Sequence, residues 1–121
     1  MQALRGEDLT VYGDGKQTGC FCYVSDEIES IMGLSRTDEH LPVNVGNPCE
    51  RTVLERARAV LRVTGSKSRI VHRALPQDDP VQRQPDISKA HRLFGWEPRI
   101  DLETGLSLCL EYFCQCVEAS G

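Results

Sequence analysis

The sequence has no long apolar run and no long run of charge of one sign. No apolar stretch approaches the roughly 20 residues that a membrane-spanning helix requires, and the N-terminus lacks the basic and then apolar layout of a signal peptide. Lysine and arginine total 14 against 18 acidic residues, and neither sign is clustered. These absences argue against a membrane protein and against non-specific nucleic-acid binding.

The sequence also lacks the cysteine and histidine spacings of metal sites. Of the six cysteines, Cys20 and Cys22 are separated by one residue, while Cys109 and Cys116 lie seven apart on the apolar face of a predicted helix, so neither pair forms a C-x-x-C motif. None of the three histidines has a suitably spaced ligand partner. In the absence of an export signal, we expect reduced thiols in a cytoplasmic protein and no metal site.

Complete catalytic motifs are absent as well. Tyr12 and Lys16 have the Y-x-x-x-K spacing of a catalytic tyrosine and lysine, but that spacing works only on a helix, whereas Gly13-Asp14-Gly15 predicts a tight turn. Gly13-x-Gly15 also lacks the third glycine and the following helix of a dinucleotide-binding loop. The chain has no nucleophile elbow and no H-E-x-x-H motif. We therefore predict no self-contained catalytic site and no cofactor bound by this chain alone.

What is present is enough for one small core, since the chain has 121 residues and 40% of them are hydrophobic. The turn at 13–15 separates strand-like arms at 10–12 and 17–23, which predicts a β-hairpin. A helix capped by Ser25 follows. Its apolar positions at helical spacing are Ile28, Ile31 and Met32.

Further strands are predicted at 42–45 and 68–72, and the three prolines between residues 74 and 85 predict a loop. Thr52 and Glu55 have the spacing of a capping box for a helix that ends at Gly65. Asp86 and Asp101 each precede a further helix, and the second of these is amphipathic. This order of elements predicts a mixed α/β fold with few strands.

A few side chains could recognise a ligand. Tyr12 could stack on a planar base, Gln17 and Thr18 could hydrogen-bond a sugar or phosphate, and Arg83 could pair with a phosphate. Each also has a structural interpretation, because an aromatic residue in a hairpin commonly packs across the strands and an arginine in a polar loop is commonly solvated. Asp78 and Asp79, before a proline, are more typical of a turn than of a reaction centre.

Five segments together resemble one known family. In chain order they are LTVYGDGKQTGCFCYVSD, PVNVGNP, TGSKSRIV, LPQDDPVQRQPDISKA and LFGWEPRIDLETGL. They resemble the C-terminal part of the UDP-glucuronate decarboxylases, which belong to the extended short-chain dehydrogenase/reductases together with nucleotide-sugar epimerases and dehydratases. The segments QDDPVQRQPDI and GWEP favour the decarboxylases over the sister epimerases.

The resemblance implies a partial extended short-chain dehydrogenase fold, with residues 1–121 as the UDP-sugar-binding portion and the N-terminal NAD-binding Rossmann domain absent. The family oxidises C4 of UDP-glucuronate with NAD, releases the C6 carboxylate as carbon dioxide and reduces the ketone to UDP-xylose. The catalytic tyrosine and lysine lie in the missing portion, so we expect this chain to be inactive alone. Full-length eukaryotic relatives with a membrane anchor would lie in the Golgi lumen.

By resemblance, Tyr12 lies near the uridine, Gln17 lines the UDP site and Arg83 reaches the diphosphate. One position departs from the family pattern. The family reads Q-T-R-S-F or Q-T-R-A-F, and its arginine is a phosphate ligand, whereas this chain has Gly19. Losing a charge-assisted bidentate contact costs on the order of 2 kcal/mol, so we expect weak UDP-sugar binding.

A second hypothesis is that the chain is a non-catalytic remnant of this family. It would then act as a binding or regulatory partner, for example by docking onto an intact family subunit. The departure at Gly19 favours this alternative because it weakens the case for a working sugar-nucleotide site.

Overall fold

The computed structural model describes residues 1–75 and 84–120. Its strands are β1 (Leu9–Tyr12), β2 (Thr18–Gly19), β3 (Arg51–Thr52) and β4 (Ile70–Arg73), and its helices are α1 (Gln2–Arg5), α2 (Val24–Ser35), α3 (Val53–Thr64), α4 (Ser88–Phe94) and α5 (Leu102–Ser120). The predicted mixed α/β class is confirmed. The predicted strand at 42–45 is wrong, because that stretch has no strand assignment.

The predicted hairpin is also wrong, because its two arms belong to different sheets. β1 pairs in parallel with β4, with Leu9 opposite Ile70, while β2 pairs antiparallel with β3. The cause is the start of α3, whose first amides have no partner within the helix. Val53 N donates to the Gln17 carbonyl at 3.0 Å and Leu54 N donates to the Gly15 carbonyl at 3.1 Å. The second arm is thereby held on α3.

Helix α3 occupies the centre of the fold and begins as predicted. The Thr52 hydroxyl accepts a hydrogen bond from Glu55 N at 3.0 Å, and Gly65 ends the helix in the left-handed conformation. Ala59 of α3, Ala3 of α1 and Val11 of β1 are all at least 95% buried. Small residues at these positions allow the helices and the β1–β4 pair to approach closely, since tight packing requires little side-chain volume between backbones.

Helix α2 has an unusual distribution of polar and apolar residues. It is not capped by Ser25, which lies inside the first turn, and Tyr23 at the N-cap position makes no side-chain capping bond. Asp26 and Ser30 are buried, with 2% and 1% exposure. The apolar residues of the opposite face are instead 51 to 64% exposed: Val24, Ile28, Ile31 and Met32. The apolar periodicity that predicted this helix therefore marks its outer surface.

Asp26 of α2 holds the segment between α4 and α5 by hydrogen bonds. Trp96, 5% exposed, donates from Nε1 to the Asp26 carbonyl at 2.9 Å. Arg99 N and Ile100 N both donate to Asp26 Oδ2, at 3.1 and 3.0 Å. We call these four residues the Asp26 latch. Its buried carboxylate accepts two amide hydrogen bonds, which offset the cost of removing it from water.

The two later helix starts follow their predicted aspartates. Asp101 Oδ1 accepts from Thr104 N at 2.7 Å at the start of α5. Asp86 Oδ1 accepts from Ser88 N at 3.0 Å, although the N-cap position itself is Ile87. These bonds lower the pKa values of both aspartates. The aspartates therefore remain ionised, and their negative charge interacts favourably with the positive end of each helix dipole.

Candidate functional site

The turn that follows β1 has the backbone geometry predicted for it. Gly13 and Gly15 have φ angles of 68° and 74°, which strongly favour glycine. Asp14 Oδ1 accepts from Lys16 N at 2.9 Å and closes the turn between them. Tyr12 and Lys16 therefore flank a turn and do not lie on one helical face.

The structure brings Tyr12 and Gln17 together across this turn. Gln17 Nε2 donates to the Tyr12 carbonyl at 2.8 Å, while the Tyr12 side chain at the end of β1 is 49% exposed. Arg83 lies outside the described residues, as do Asp78 and Asp79. The prediction that Tyr12, Gln17 and Arg83 share one site therefore remains a prediction.

A second group of residues surrounds Gly19. A Cβ atom built on Gly19 would lie 3.2 Å from Arg56 Nη2 and 3.5 Å from Nη1. The Arg56 guanidinium stacks on the Phe21 ring, with its Cζ atom 4.3 Å from the ring centroid, which is cation–π geometry. We call Gly19, Phe21 and Arg56 the Gly19 corner.

The guanidinium in this corner is incompletely satisfied. Its buried Nε atom has no hydrogen-bond partner among residues 1–75 and 84–120, and none of the ion pairs formed within those ranges includes Arg56. Burial lowers the pKa of Arg56, yet an arginine stays charged at neutral pH. The corner therefore contains a partly desolvated positive charge without a carboxylate partner in the described part of the chain.

Two cavities meet beside the Gly19 corner. The smaller, of about 60 Å³, is lined by Gly19, Phe21 and Arg56 together with Arg51, Asn47 and Asp101, among other residues. The larger is an open groove of about 780 Å³ that shares Phe21 and Asn47 with the smaller one and extends to Gln84 and Asp86. Neither cavity is lined by Tyr12 or Gln17. The geometry offers a small basic cavity opening beside a groove wide enough for a larger ligand.

The cysteines next to this corner are protonated thiols at neutral pH. Burial, with smaller contributions from Glu50 and Cys49, raises the pKa of Cys20. Burial and a hydrogen bond to Glu27 raise the pKa of Cys22 to about 12. All six cysteines are unpaired, and the described residues contain no group of three metal-ligating side chains. Thiol groups with raised pKa values are poor nucleophiles and poor metal ligands.

The start of α3 is not available as a binding site for the pyrophosphate of NAD. The first three amides of α3, at Val53, Leu54 and Glu55, already donate to protein oxygens. A dinucleotide site needs such amides free at a helix start. No helix within residues 1–75 and 84–120 has the length and apolar character that crossing a membrane requires.

Sequence reasoning missed Arg56. The residue lies three positions after Val53 and four before Val60, on the side of α3 that carries the apolar periodicity. An arginine on the apolar face of a helix is itself a signal, because its guanidinium must stack on another side chain or pair with a polar group. Its contact with Gly19, however, joins residues 37 positions apart, and no local pattern reports that.

No protein-family model matches the chain, but curated proteins do. It is 47% identical over 118 residues to UDP-glucuronic acid decarboxylase 1 of Danio rerio and 48% identical over 116 residues to UDP-glucuronic acid decarboxylase 4 of Arabidopsis thaliana. These matches cover 98% and 96% of the chain. Along nearly its whole length the chain is therefore similar to the UDP-glucuronic acid decarboxylases. It spans only 28% and 26% of the length of these two relatives, in their C-terminal part.

Solved structures of nucleotide-sugar epimerases share the fold. UDP-glucose 4-epimerase from Thermotoga maritima, solved with UDP-glucose, superposes with a TM-score of 0.90 at 28% identity, over 96% of this chain and 38% of that one. UDP-glucuronic acid 4-epimerase from Bacillus cereus, solved with UDP-glucuronic acid and NAD, gives a TM-score of 0.86 at 27% identity, over 95% and 38%. The partial extended short-chain dehydrogenase fold is thus confirmed.

Proposed function

We propose that residues 1–121 supply the UDP-sugar-binding portion of a UDP-glucuronate decarboxylase and that this portion is catalytically inactive alone. The observation that carries the proposal is the 47% identity to a UDP-glucuronic acid decarboxylase along 98% of the chain. The NAD-binding domain, with its catalytic tyrosine and lysine, would be supplied by sequence outside this chain. The substrate class is then a UDP-hexuronic acid, as in the epimerase that was solved with UDP-glucuronic acid.

In this proposal Tyr12 and Gln17 bind the uridine end of the ligand. The bond from Gln17 Nε2 to the Tyr12 carbonyl holds the amide against the Tyr12 backbone, and Tyr12 is 49% exposed and so open to a ligand. Arg83, by resemblance, contributes to diphosphate binding. A half-exposed aromatic side chain can stack on a pyrimidine, and an amide from a nearby residue can hydrogen-bond the edge of the base.

Calorimetric titration of the chain with UDP tests the site. We expect binding in the micromolar to millimolar range, and at least tenfold weaker binding after Tyr12→Leu, because a stacking contact contributes on the order of 1–3 kcal/mol. Tyr112→Leu is the matched control, since Tyr112 is 64% exposed and lies far along α5. No binding by the unmodified chain at millimolar UDP would contradict the proposal.

The inactivity is tested separately. The chain incubated with NAD and UDP-glucuronate should release no carbon dioxide, since the described residues provide neither a dinucleotide loop nor a helical tyrosine–lysine pair. Carbon dioxide release above that of a denatured control would place the catalytic groups in this chain and contradict the assignment.

The second candidate function, a binding partner of an intact family subunit, is favoured by the outer face of α2. Val24, Ile28, Ile31 and Met32 form an exposed apolar stripe. The accessible surface of 8451 Å² also exceeds the roughly 6,500 Å² expected for a compact monomer of this mass. In this function the stripe packs against the intact enzyme.

Co-elution with the Danio rerio decarboxylase tests this function. The chain should co-migrate with the enzyme on size exclusion, and Ile28→Glu should abolish the complex, while Glu29→Gln on the same helix should not. Separate elution of the chain and the enzyme would exclude this function.

A further inference from the structure

The space that a side chain at position 19 would occupy is filled by an arginine from another element. Arg56 of α3 places both terminal guanidinium nitrogens within 3.5 Å of the Cβ position of Gly19. Gly19 therefore does more than omit a side chain, because its missing Cβ makes room for this guanidinium. A positive charge, which the resemblance places on residue 19, is thus present next to this position but is carried by a different residue.

This cation lies where a ligand can reach it. The guanidinium lines the cavity of about 60 Å³ together with Arg51 and the Asn47 amide. That volume is about that of two water molecules, which suits a single oxyanion and excludes a sugar ring. Arg51 is only loosely held by Glu55, at 4.0 Å with both side chains about half exposed. The cavity contains one opposing carboxylate, Asp101, which is bonded to Thr104 N at 2.7 Å.

The structure of the corner also fixes the orientation of the charge. Stacking on Phe21 holds the guanidinium plane, with Cζ 4.3 Å from the ring centroid. The buried Nε atom lacks a protein partner within the described part of the chain. A buried donor left unpaired is costly. A planar, oriented guanidinium that has no carboxylate partner in the described part of the chain is suited to bidentate binding of a phosphate group.

We propose that Arg56 is the phosphate-binding residue of this chain, receiving a phosphate of a nucleoside diphosphate in the small cavity and replacing the arginine that the family has at position 19. This inference rests on the proposed function for the identity of the nucleoside. The departure at Gly19 is then one half of an exchange between two positions and not a loss of phosphate binding.

Titrations with UDP, uridine and inorganic pyrophosphate test the proposal. The unmodified chain should bind UDP more tightly than uridine. Arg56→Leu should weaken UDP binding about tenfold or more, since a charge-assisted bidentate contact is lost, and leave uridine binding unchanged. Arg58→Leu is the matched control, because it removes the same charge from an exposed position on the same helix; it should change UDP affinity less than twofold.

A double variant tests the exchange directly. Gly19→Arg combined with Arg56→Leu moves the guanidinium back to position 19 and vacates the space it needs. This variant should regain most of the UDP affinity lost in Arg56→Leu. The side-chain Nε–H signal of Arg56 in nitrogen-15 NMR spectra should shift with UDP and with pyrophosphate, but not with uridine.

The outcomes separate this inference from the proposed function. Equal UDP affinity of Arg56→Leu and the unmodified chain overturns the inference and leaves the UDP site intact. An equal loss of UDP and uridine binding in Arg56→Leu shows a purely structural role and also overturns it. A pyrophosphate-dependent Arg56 shift without any uridine binding supports the inference but contradicts the proposed function. Absence of binding to all three probes overturns both.

Discussion

Two polar clusters of the described residues, the Asp26 latch and the Gly19 corner, differ in how well their charges are satisfied. The latch carboxylate is 2% exposed and accepts hydrogen bonds from two backbone amides. The guanidinium of the corner is partly buried, yet its Nε atom has no partner in residues 1–75 and 84–120. A satisfied buried charge, as in the latch, favours folding in the absence of a ligand. A buried donor without a partner, as in the corner, costs folding free energy. The latch therefore serves the fold, and the corner is the cluster whose geometry a ligand would complete.

Removing the tryptophan of the latch should have the largest effect. Trp96→Ala deletes a ring that is 5% exposed and its bond to the Asp26 carbonyl, so we expect a loss of about 3–5 kcal/mol of unfolding free energy. Trp96→Phe keeps most of the buried area and should cost about 1–2 kcal/mol. Urea denaturation followed by circular dichroism measures both. If the two variants lost equal stability, the hydrogen bond and not the ring would carry the latch.

Removing the latch carboxylate should be the next largest change. Asp26→Ala leaves the amides of Arg99 and Ile100 without their acceptor, and we expect a loss of about 2–4 kcal/mol. Asp26→Asn keeps one oxygen that can accept these bonds and should cost roughly half as much. The same denaturation measurement applies. An Asp26→Ala variant as stable as the unmodified chain would show that the carboxylate is not structural and would remove the contrast with the corner.

Much of the fold could be predicted because the ends of helices depend on residues that are close together in the sequence. The Thr52 cap, the Gly65 stop and the Asp101 start all depend on residues within one turn of one another, and all three are observed. The hairpin prediction was right about the turn but wrong about the strand pairing, because the observed pairing is not local. The β1 strand pairs with β4, whose residues follow about 60 positions later, and no turn chemistry specifies such a partner.

The site was less predictable for the same physical reason. Tyr12 and Gln17 could be named from one stretch, and they do contact each other. The missing cation at Gly19 could also be named, but its replacement by Arg56 could not, since it depends on how α3 packs against β2. The exposure of the apolar face of α2 could likewise not be predicted, because periodicity identifies a face without saying what covers it.

Alkaline pH should lower the free energy of unfolding through Cys22, which lies next to the Gly19 corner. The pKa of Cys22 in the folded chain is about 12, raised from 9.0 chiefly by burial. Because the thiol loses its proton more easily when unfolded, its stabilising effect is complete below pH 9 and is lost as the pH rises toward 12. Thermal melts between pH 8 and 11 should show a steeper decline for the unmodified chain than for Cys22→Ala. Parallel declines would exclude this linkage.

The smallest effect should come from the corner itself when no ligand is present. Arg56→Leu removes a partly desolvated charge that lacks a carboxylate partner in the described ranges, and it forfeits a cation–π contact of about 0.5–1 kcal/mol. Replacing a poorly compensated charge by an apolar side chain is commonly neutral or stabilising. We therefore expect a melting temperature that is unchanged or raised by up to about 4 °C, against no change for Arg58→Leu.

Addition of saturating UDP should then raise the melting temperature of the unmodified chain more than that of Arg56→Leu, because only the former offers its cation to the ligand. A loss of stability in Arg56→Leu comparable to that of Asp26→Asn would mean that the corner, like the latch, is part of the structural framework.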